Sequence, residues 1–411
     1  MYSTIILHAN LQYAEIPVDE IPNVVNQSYI PVLTSLLEIP KLEVVLNFTG
    51  VTLEILSNEY PEVLDLLAEG IKKGKFEMTG TGYSHPIFPL LPIEDSRKQI
   101  EYNLQVMENT LNYKPVGFWL PELAYDPTLP SLLKEYGYTY SFIDEDLYKS
   151  SSPLTNYYNP SNSPYISARS FVTKLEHSKN FISRLLSFQR ALRIIRKESK
   201  KVDFSPVELK GAKGTITGLK VPTIWSIVTS ACMYGYPFVS FKKITKLISK
   251  HRKQDGLVIP YGADLEFIGY RTLVDGRLIT PNRLTKLLMK ILKIEDNEMI
   301  LPKKYFKKIK PTDLGYMKTG SWAEDLTLDL WTKDEDNQKL ERLCEEIRWY
   351  FRQLQPDEIN EQIWKHLLLA ENSDGRGWDP IPERRLACFS HALEALSLVK
   401  ELYREKKFKK K

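Results

Sequence analysis

The first 150 residues repeat one unit, a short β-type run ending in polar or aromatic residues and then a longer segment with helical spacing. Five such runs are Thr4–His8, Glu43–Phe48, Phe76–Gly80, Val116–Leu120 and Tyr138–Asp144. Between them, Pro61–Lys73 and Asp95–Leu111 place apolar residues three and four apart, as amphipathic crossover helices do. Strands joined by such crossovers run parallel. The pattern admits a closed barrel or an open doubly wound sheet. No Gly-rich phosphate fingerprint follows the first strand, so a (β/α) barrel is the expectation.

The rhythm breaks over residues 151–215, where Asn159-Pro160-Ser161-Asn162-Ser163-Pro164 has loop composition and Arg193–Lys201 is a basic helical run. This stretch is expected as an insertion over one barrel face. The βα alternation resumes after Lys220, with a helix over Phe241–Lys253, a strand Gly256–Pro260 and a helix Thr280–Leu292 opened by Thr280-Pro281. Beyond about Asp313 the β-type runs give way to helical stretches at Asn337–Leu354, Glu358–Ala370 and Arg384–Phe408. The expected organisation is a barrel domain over 1–310 and a helical domain over 311–411.

Composition excludes several classes. With 43% hydrophobic and 26% charged residues the chain has ordinary globular usage. Its 56 basic and 52 acidic residues leave +4, much of it in the tail Lys406–Lys411, so no nucleic-acid partner is expected. Cys232, Cys344 and Cys388 are odd in number and widely spaced, which suits buried thiols in a reducing compartment better than disulfides or a zinc site. No basic leader opens the chain and no apolar run reaches the roughly 20 residues of a membrane span. A cytoplasmic protein without membrane partners, cofactor or metal is expected.

In a parallel barrel the functional groups stand where strands end and loops begin. Those ends nominate His8 and Asn10, Asn47, Tyr83-Ser84-His85, Trp119 with Glu122, Asp144-Glu145-Asp146, and Asp264 with Glu266. Carboxylates from different strands, with aromatics beside them, suit glycosidic bond cleavage, which needs one acid to protonate the leaving oxygen and a second carboxylate at the anomeric carbon. Taken singly, Glu122 reads as a loop glutamate, Asp264 as a helix N-cap, and His8 and His85 as structural histidines. Their shared face raises the odds of a site.

In order along the chain, these residues resemble the motifs of glycoside hydrolase family 57. Trp119-Leu120-Pro121-Glu122 is similar to its nucleophile motif, and Asp264-Leu265-Glu266-Phe267-Ile268-Gly269 to its acid/base motif. Gly74–Met78 with Tyr83-Ser84-His85-Pro86 resembles another family region. Leu369–Asp374, continued by Gly375-Arg376-Gly377-Trp378, resembles the one in the helical domain. The resemblance implies a seven-stranded parallel (β/α) barrel with a helical domain bordering the site. It also implies a retaining double displacement on α-glycosidic bonds of oligo- or polysaccharides, without a cofactor. Glu122 would be the nucleophile and Asp264 the acid/base. His8, Asn10, His85, Trp119, Glu266, Trp322, Asp374 and Trp378 would bind substrate. Where many members open His-x-His-Gln-Pro, this chain has His8-Ala9-Asn10-Leu11-Gln12-Tyr13. That opening resembles the α-galactosidase branch more than the amylases or glucanotransferases.

For the double displacement, Asp264 is expected to carry the proton while Glu122 is ionised. The competing readings are a non-catalytic carbohydrate-binding protein on the same scaffold and a metal-dependent deacetylase. The latter would want ligand pairs that the sequence spacing does not provide.

Overall fold

The computed structural model describes residues 1–151, 202–237, 239–252, 256–273, 276–311, 313–323 and 325–409. All five expected strands are present, trimmed by a few residues. The first is split into β1 (Tyr2–Ser3) and β2 (Ile6–Ala9), followed by β3 (Val44–Phe48), β4 (Phe76–Thr79), β5 (Gly117–Trp119) and β6 (Tyr140–Asp144). The hairpin β7 (Val207–Gly211) and β8 (Gly214–Val221) follows, then β9 (Leu257–Val258), β10 (Gly262–Asp264), β11 (Glu298–Met299) and β12 (Asp313–Gly315). Parallel ladders run β10-β2-β3-β4 and β5-β6-β8, and a parallel bridge from Gly80 to Phe118 joins the two sets. Among the described ladders one is antiparallel, β7 with β8, and β12 runs parallel to β7 at that edge. The expected insertion therefore ends in a hairpin that belongs to the sheet, while the basic run 193–201 and the loop 159–164 lie outside the described residues.

The sheet curls. Alternate residues on a strand face opposite sides, and one side of β2, β3, β5, β6, β8 and β9 feeds a single interior cluster: Ile6, Val45, Trp119, Tyr140 and Phe142, Leu219 and Val221, Leu257 and, just past β9, Ile259. Strands β2 and β8, far apart in the ladder order, thus share one interior. Among the described residues, however, no ladder joins β8 to β10. What the hydrogen bonds establish is parallel sheets, which is less than the closed barrel expected from the strand pattern, with the seven strands that the family resemblance implies. The other face carries Leu7, Leu46, Phe48 and Met78 into a larger core against the crossover helices.

Beyond residue 330 the chain is helical: Glu335–Phe351, Glu361–Ala370 and Pro382–Lys409. Asp334 and Asn360 cap the first two, accepting from the backbone N–H groups of Asn337 and Ile363. Leu340, Cys344 and Ile347 meet Ile363, Leu367, Cys388, Ala392, Ala395 and Val399 in a core of their own. The spacing is the three-and-four pattern of amphipathic helices. All three cysteines are buried free thiols, as their spacing suggests.

A buried ion cluster ties the helical region to the sheet. Arg348 donates to Asp95 (2.5 Å) at the start of the crossover helix Ile93–Leu111 and to Glu371 (2.9 Å) at the end of Glu361–Ala370. Gln99 on that crossover helix donates to Glu371 (3.1 Å) and accepts from the backbone N–H of Ser84 (3.0 Å). Two more donors cross the interface further on, from Arg384 to the carbonyls of Ile16 (2.7 Å) and Leu11 (2.8 Å).

Candidate active site

Parallel ladders put the C-terminal ends of β2, β3, β4, β5 and β10 on one face, which gathers His8, Asn10, Asn47, His85, Trp119, Glu122, Asp264 and Glu266 there. Asn47 fixes His8. Its amide nitrogen donates to the carbonyl (3.1 Å) and hydroxyl (2.9 Å) of Thr79, so its oxygen faces His8 Nδ1 at 2.7 Å, and Nδ1 carries the proton. Burial and the neighbouring His85 push the His8 pKa well below the usual value, against the Asn47 bond, so His8 is neutral. Its other nitrogen, Nε2, is buried without a protein partner. The His8 ring stacks on His85 (4.6 Å between centroids) and on Trp119 (5.9 Å).

Glu122 has φ 55°, in the left-handed region that a residue with a side chain seldom occupies. His85 (φ 60°) and Trp378 (φ 59°) share this strain, so three of the proposed site residues sit on unusual backbone. Pro121 sets the turn from β5 into a short helical turn that lifts Glu122 off the strand end. Its Oε2 accepts from the indole N–H of Trp322 (2.5 Å) and of Trp378 (3.1 Å), whose rings lie 5.2 Å apart. Burial raises the Glu122 pKa to about 7; His85 and the Trp322 bond pull it down, while Asp374 and Asp264 push it up.

Asp264 closes β10 opposite His8 in the ladder. It precedes a single helical turn, Leu265–Phe267, but its side chain makes no capping bond there, so the cap role is not the one it fills. Burial raises its pKa to about 6 against the nearby Arg271 guanidinium. Both carboxyls are thus raised toward neutrality, and the free protein does not set Asp264 well above Glu122 as the sequence expectation has it. Beside burial, Asp264 has the Arg271 guanidinium, His85 and the Tyr13 hydroxyl lowering it, and Glu122 has His85 and the Trp322 indole, while Asp374 raises both.

Glu266 is buried, its Oε1 accepting from Asn10 N–H (2.8 Å) and from the Tyr29 hydroxyl. Burial and then Asp264 raise its pKa to about 8. Glu266 Oε2 and Trp119 Nε1 are, like His8 Nε2, buried polar atoms with no protein partner. Such atoms at one strand-end face are what a polar ligand would satisfy.

The helical region brings Asp374 and Trp378 in from the irregular stretch after Ala370. Asp374 is expected from the family resemblance to bind substrate, yet its oxygens are taken within the protein. Oδ2 accepts from Asn10 Nδ2 (2.7 Å) and His85 Nδ1 (3.1 Å), and Oδ1 from the backbone of Ala14 (3.2 Å). Asn10 is committed in the same way, joining Glu266 to Asp374. Burial disfavours the charged form of His85, but the Asp374 bond and the charges of Asp374, Glu122 and Asp264 raise its pKa overall. His85, Glu122 and Asp374 each offer one ligand atom, and these lie within 4.8 Å of one another. Sequence spacing could not reveal this cluster, because its members come from three separate loops.

Tyr13 and Arg271 were not nominated by the strand ends. Arg271 donates to the Tyr13 hydroxyl (2.8 Å) and lies over its ring. Both follow strand ends by several residues; Tyr13 closes the His8–Tyr13 opening, and no sequence feature marks Arg271. Asp144 lies away from this role, capping its own helix through Leu147 N–H (2.8 Å). Glu145 pairs with Lys149 (2.6 Å).

Fold and centre together define a parallel α/β protein with an acidic, tryptophan-walled site at its strand ends. The chain belongs to glycosyl hydrolase family 57, whose family model matches residues 4–318. It is 36% identical over 120 residues to a 4-alpha-glucanotransferase of Thermococcus litoralis, a match covering 29% of this chain and 18% of that protein. To an alpha-amylase of Pyrococcus horikoshii it is 34% identical over 119 residues, covering 29% and 19%. These matches span less than a fifth of each relative. Among solved structures, a family 57 branching enzyme from Pyrococcus horikoshii superposes with TM-score 0.67 at 15% identity, covering 98% of this chain and 94% of that one. The Thermococcus litoralis glucanotransferase gives 0.66 at 18%, covering 96% and 59%. At these identities the superpositions speak for the fold. No helix among the described residues is long and apolar enough to cross a membrane.

Proposed function

We propose that this chain is a retaining α-glycosidase acting on α-glucans, with Glu122 as nucleophile and Asp264 as acid/base. The observation that carries the reading is the strand-end pair itself: two carboxylates from different strands, one clasped by two indole N–H groups and the other beside a guanidinium. In the first displacement a Glu122 oxygen bonds to the anomeric carbon, the glycosidic C–O bond breaks, and the departing oxygen takes the Asp264 proton. In the second, Asp264 takes a proton from water or from a sugar hydroxyl, whose oxygen attacks the anomeric carbon and releases Glu122. Water gives hydrolysis and a sugar acceptor gives transfer.

Trp119, Trp322 and Trp378 offer faces for pyranose rings, and His8 Nε2, Trp119 Nε1 and Glu266 Oε2 are the polar atoms free to meet hydroxyls. Asp374 and Asn10 act behind them, holding His85 and Glu266. The α-galactosidase-like substrate expected from the His8–Tyr13 opening is not carried forward, because the relatives named above are amylases, glucanotransferases and a branching enzyme. Supporting features for closure of the sheet as seven parallel strands are the shared interior cluster and Val221 Cγ1, 3.4 Å from where a Cβ on Gly262 would stand. A division near residue 310 and a reducing, cytoplasmic setting belong to the same proposal, the latter supported by three free thiols.

The test is sugar release from soluble starch, maltooligosaccharides and α-galactosides by the wild type and by Glu122→Ala, with the anomer of the first product read by NMR. Turnover of α-glucans with retention, absent in the variant, is expected. An inverted product, or a variant as active as wild type, would overturn the assignment.

A further inference from the structure

We propose that the same centre binds a divalent transition-metal ion of the zinc class through His85, Glu122 and Asp374, and that the ion blocks the site. The binding stands on geometry alone; the blocking rests on the reading of Glu122 as nucleophile. One imidazole and two carboxylates form a donor set that zinc accepts. The three ligand atoms already lie within 4.8 Å of one another. His85 Nδ1 and Asp374 Oδ2 are 3.1 Å apart, close to the roughly 3.3 Å edge between two ligands about 2.0 Å from a tetrahedral ion; the Nδ1 proton, which faces Asp374 and Ser373 Oγ (2.9 Å), leaves to solvent as the ion takes its place. His85 and Asp374 are both over nine-tenths buried, at 4% and 1% exposure.

The outer partners of these ligands are in place as well. Asp374 is oriented by Asn10 (2.7 Å) and Ala14 (3.2 Å), as ligating carboxylates usually are by a surrounding shell. Against the His85 ring lies His8, whose buried Nε2 has no protein partner. Asp264 stands outside the ligand set, so an ion here would take the nucleophile and leave the acid. It would engage a Glu122 lone pair and occupy the space through which an anomeric carbon must approach.

The test uses the full chain stripped of metal with a chelator that is then removed. Zinc chloride is titrated calorimetrically near neutral pH while tryptophan fluorescence is followed, since Trp322 and Trp378 both touch Glu122. One-to-one binding is expected, weakened at least tenfold in His85→Gln and in Asp374→Asn, each checked for folding by circular dichroism. His391→Ala removes one of the other close imidazole pair, His366 and His391 (2.9 Å), and should leave binding unchanged. Zinc should slow sugar release by the wild type, with the rate restored on chelation. Absence of binding, binding lost in His391→Ala instead, binding indifferent to both His85 and Asp374, or a rate that falls on chelation would each overturn the proposal. Zinc binding by a metal-free protein that turns over no glycoside would leave the metal site standing and remove the glycosidase reading.

Discussion

The two sides of the active centre are built differently. On the sheet side, His8, Trp119 and Asp264 are fixed by strand register, and what holds them is an apolar interior with a ladder of backbone bonds. On the helical side, Asp374 and Trp378 stand on an irregular stretch with left-handed backbone, and what holds it is charge. Arg348 joins Asp95 and Glu371, and Gln99 relays that order to Ser84, next to His85. Labour is divided accordingly: the sheet presents the two carboxylates proposed to react, and the helical region sets their surroundings. Two of the groups that shape the Glu122 proton affinity, Trp322 and Asp374, lie after the last parallel strand of the sheet.

That division can be broken most forcefully on the sheet side. Glu122→Ala should lower kcat/KM on α-glucans by about 10³-fold or more, and Asp264→Asn by roughly 10²–10⁴-fold, with far-UV circular dichroism unchanged. Comparable losses from helical-region residues that touch no reacting carboxylate would erase the distinction.

The largest effect expected on the helical side is one of stability. Arg348→Ala removes the cation shared by the buried carboxyls Asp95 and Glu371, leaving Glu371 only its Gln99 and Asp95 contacts, and breaking such a cluster costs about 3–5 kcal/mol, read as a fall in the denaturation midpoint. A change within experimental error would mean that the apolar contacts alone dock this region.

How far these two sides were legible in the sequence follows from the same difference. Strand ends announce themselves through period-two runs and their punctuation, so Glu122, Asp264, His8 and His85 were accessible. The strand Gly214–Val221 was not, because Gly214 and Gly218 and the polar Thr215, Thr217 and Lys220 dilute its apolar alternation, and its hairpin partner follows a stretch of loop composition. Asp374 and Trp378 follow a helix without periodicity of their own, and only their likeness to a family motif marked them. Their partners could not be read at all. That Asp374 would spend its oxygens on Asn10, Ala14 and His85 depends on approaches between residues more than 280 positions apart. The raised proton affinities of Glu122 and Asp264 were out of reach too, since they follow from burial and from neighbours such as His85 and Asp374 that reach the carboxyls from other loops.

A finer cut concerns one hydrogen bond. The Trp322 N–H favours the ionised form of Glu122, so Trp322→Phe should raise the Glu122 pKa and lower kcat/KM roughly tenfold. The alkaline limb of the pH profile should move upward by up to about one unit. An unmoved limb would mean that the indole serves packing alone.

The smallest effect lies in the shape of that profile for the wild type. With Asp264 near 6 and Glu122 near 7, the singly protonated pair prevails between those values, so kcat/KM should peak there and fall on both sides. A plateau reaching well above pH 8 would show that substrate-free Glu122 is not raised as the two-sided surroundings require.

The most direct measurement of the central claim is to trap the covalent intermediate. The wild type is incubated with a fluorinated α-glucosyl fluoride that forms the glycosyl-enzyme readily and releases it slowly, then digested and sequenced by mass spectrometry. A single glycosyl adduct on Glu122 is the predicted result. An adduct on Asp264 or another side chain, with Glu122 unmodified, would contradict it.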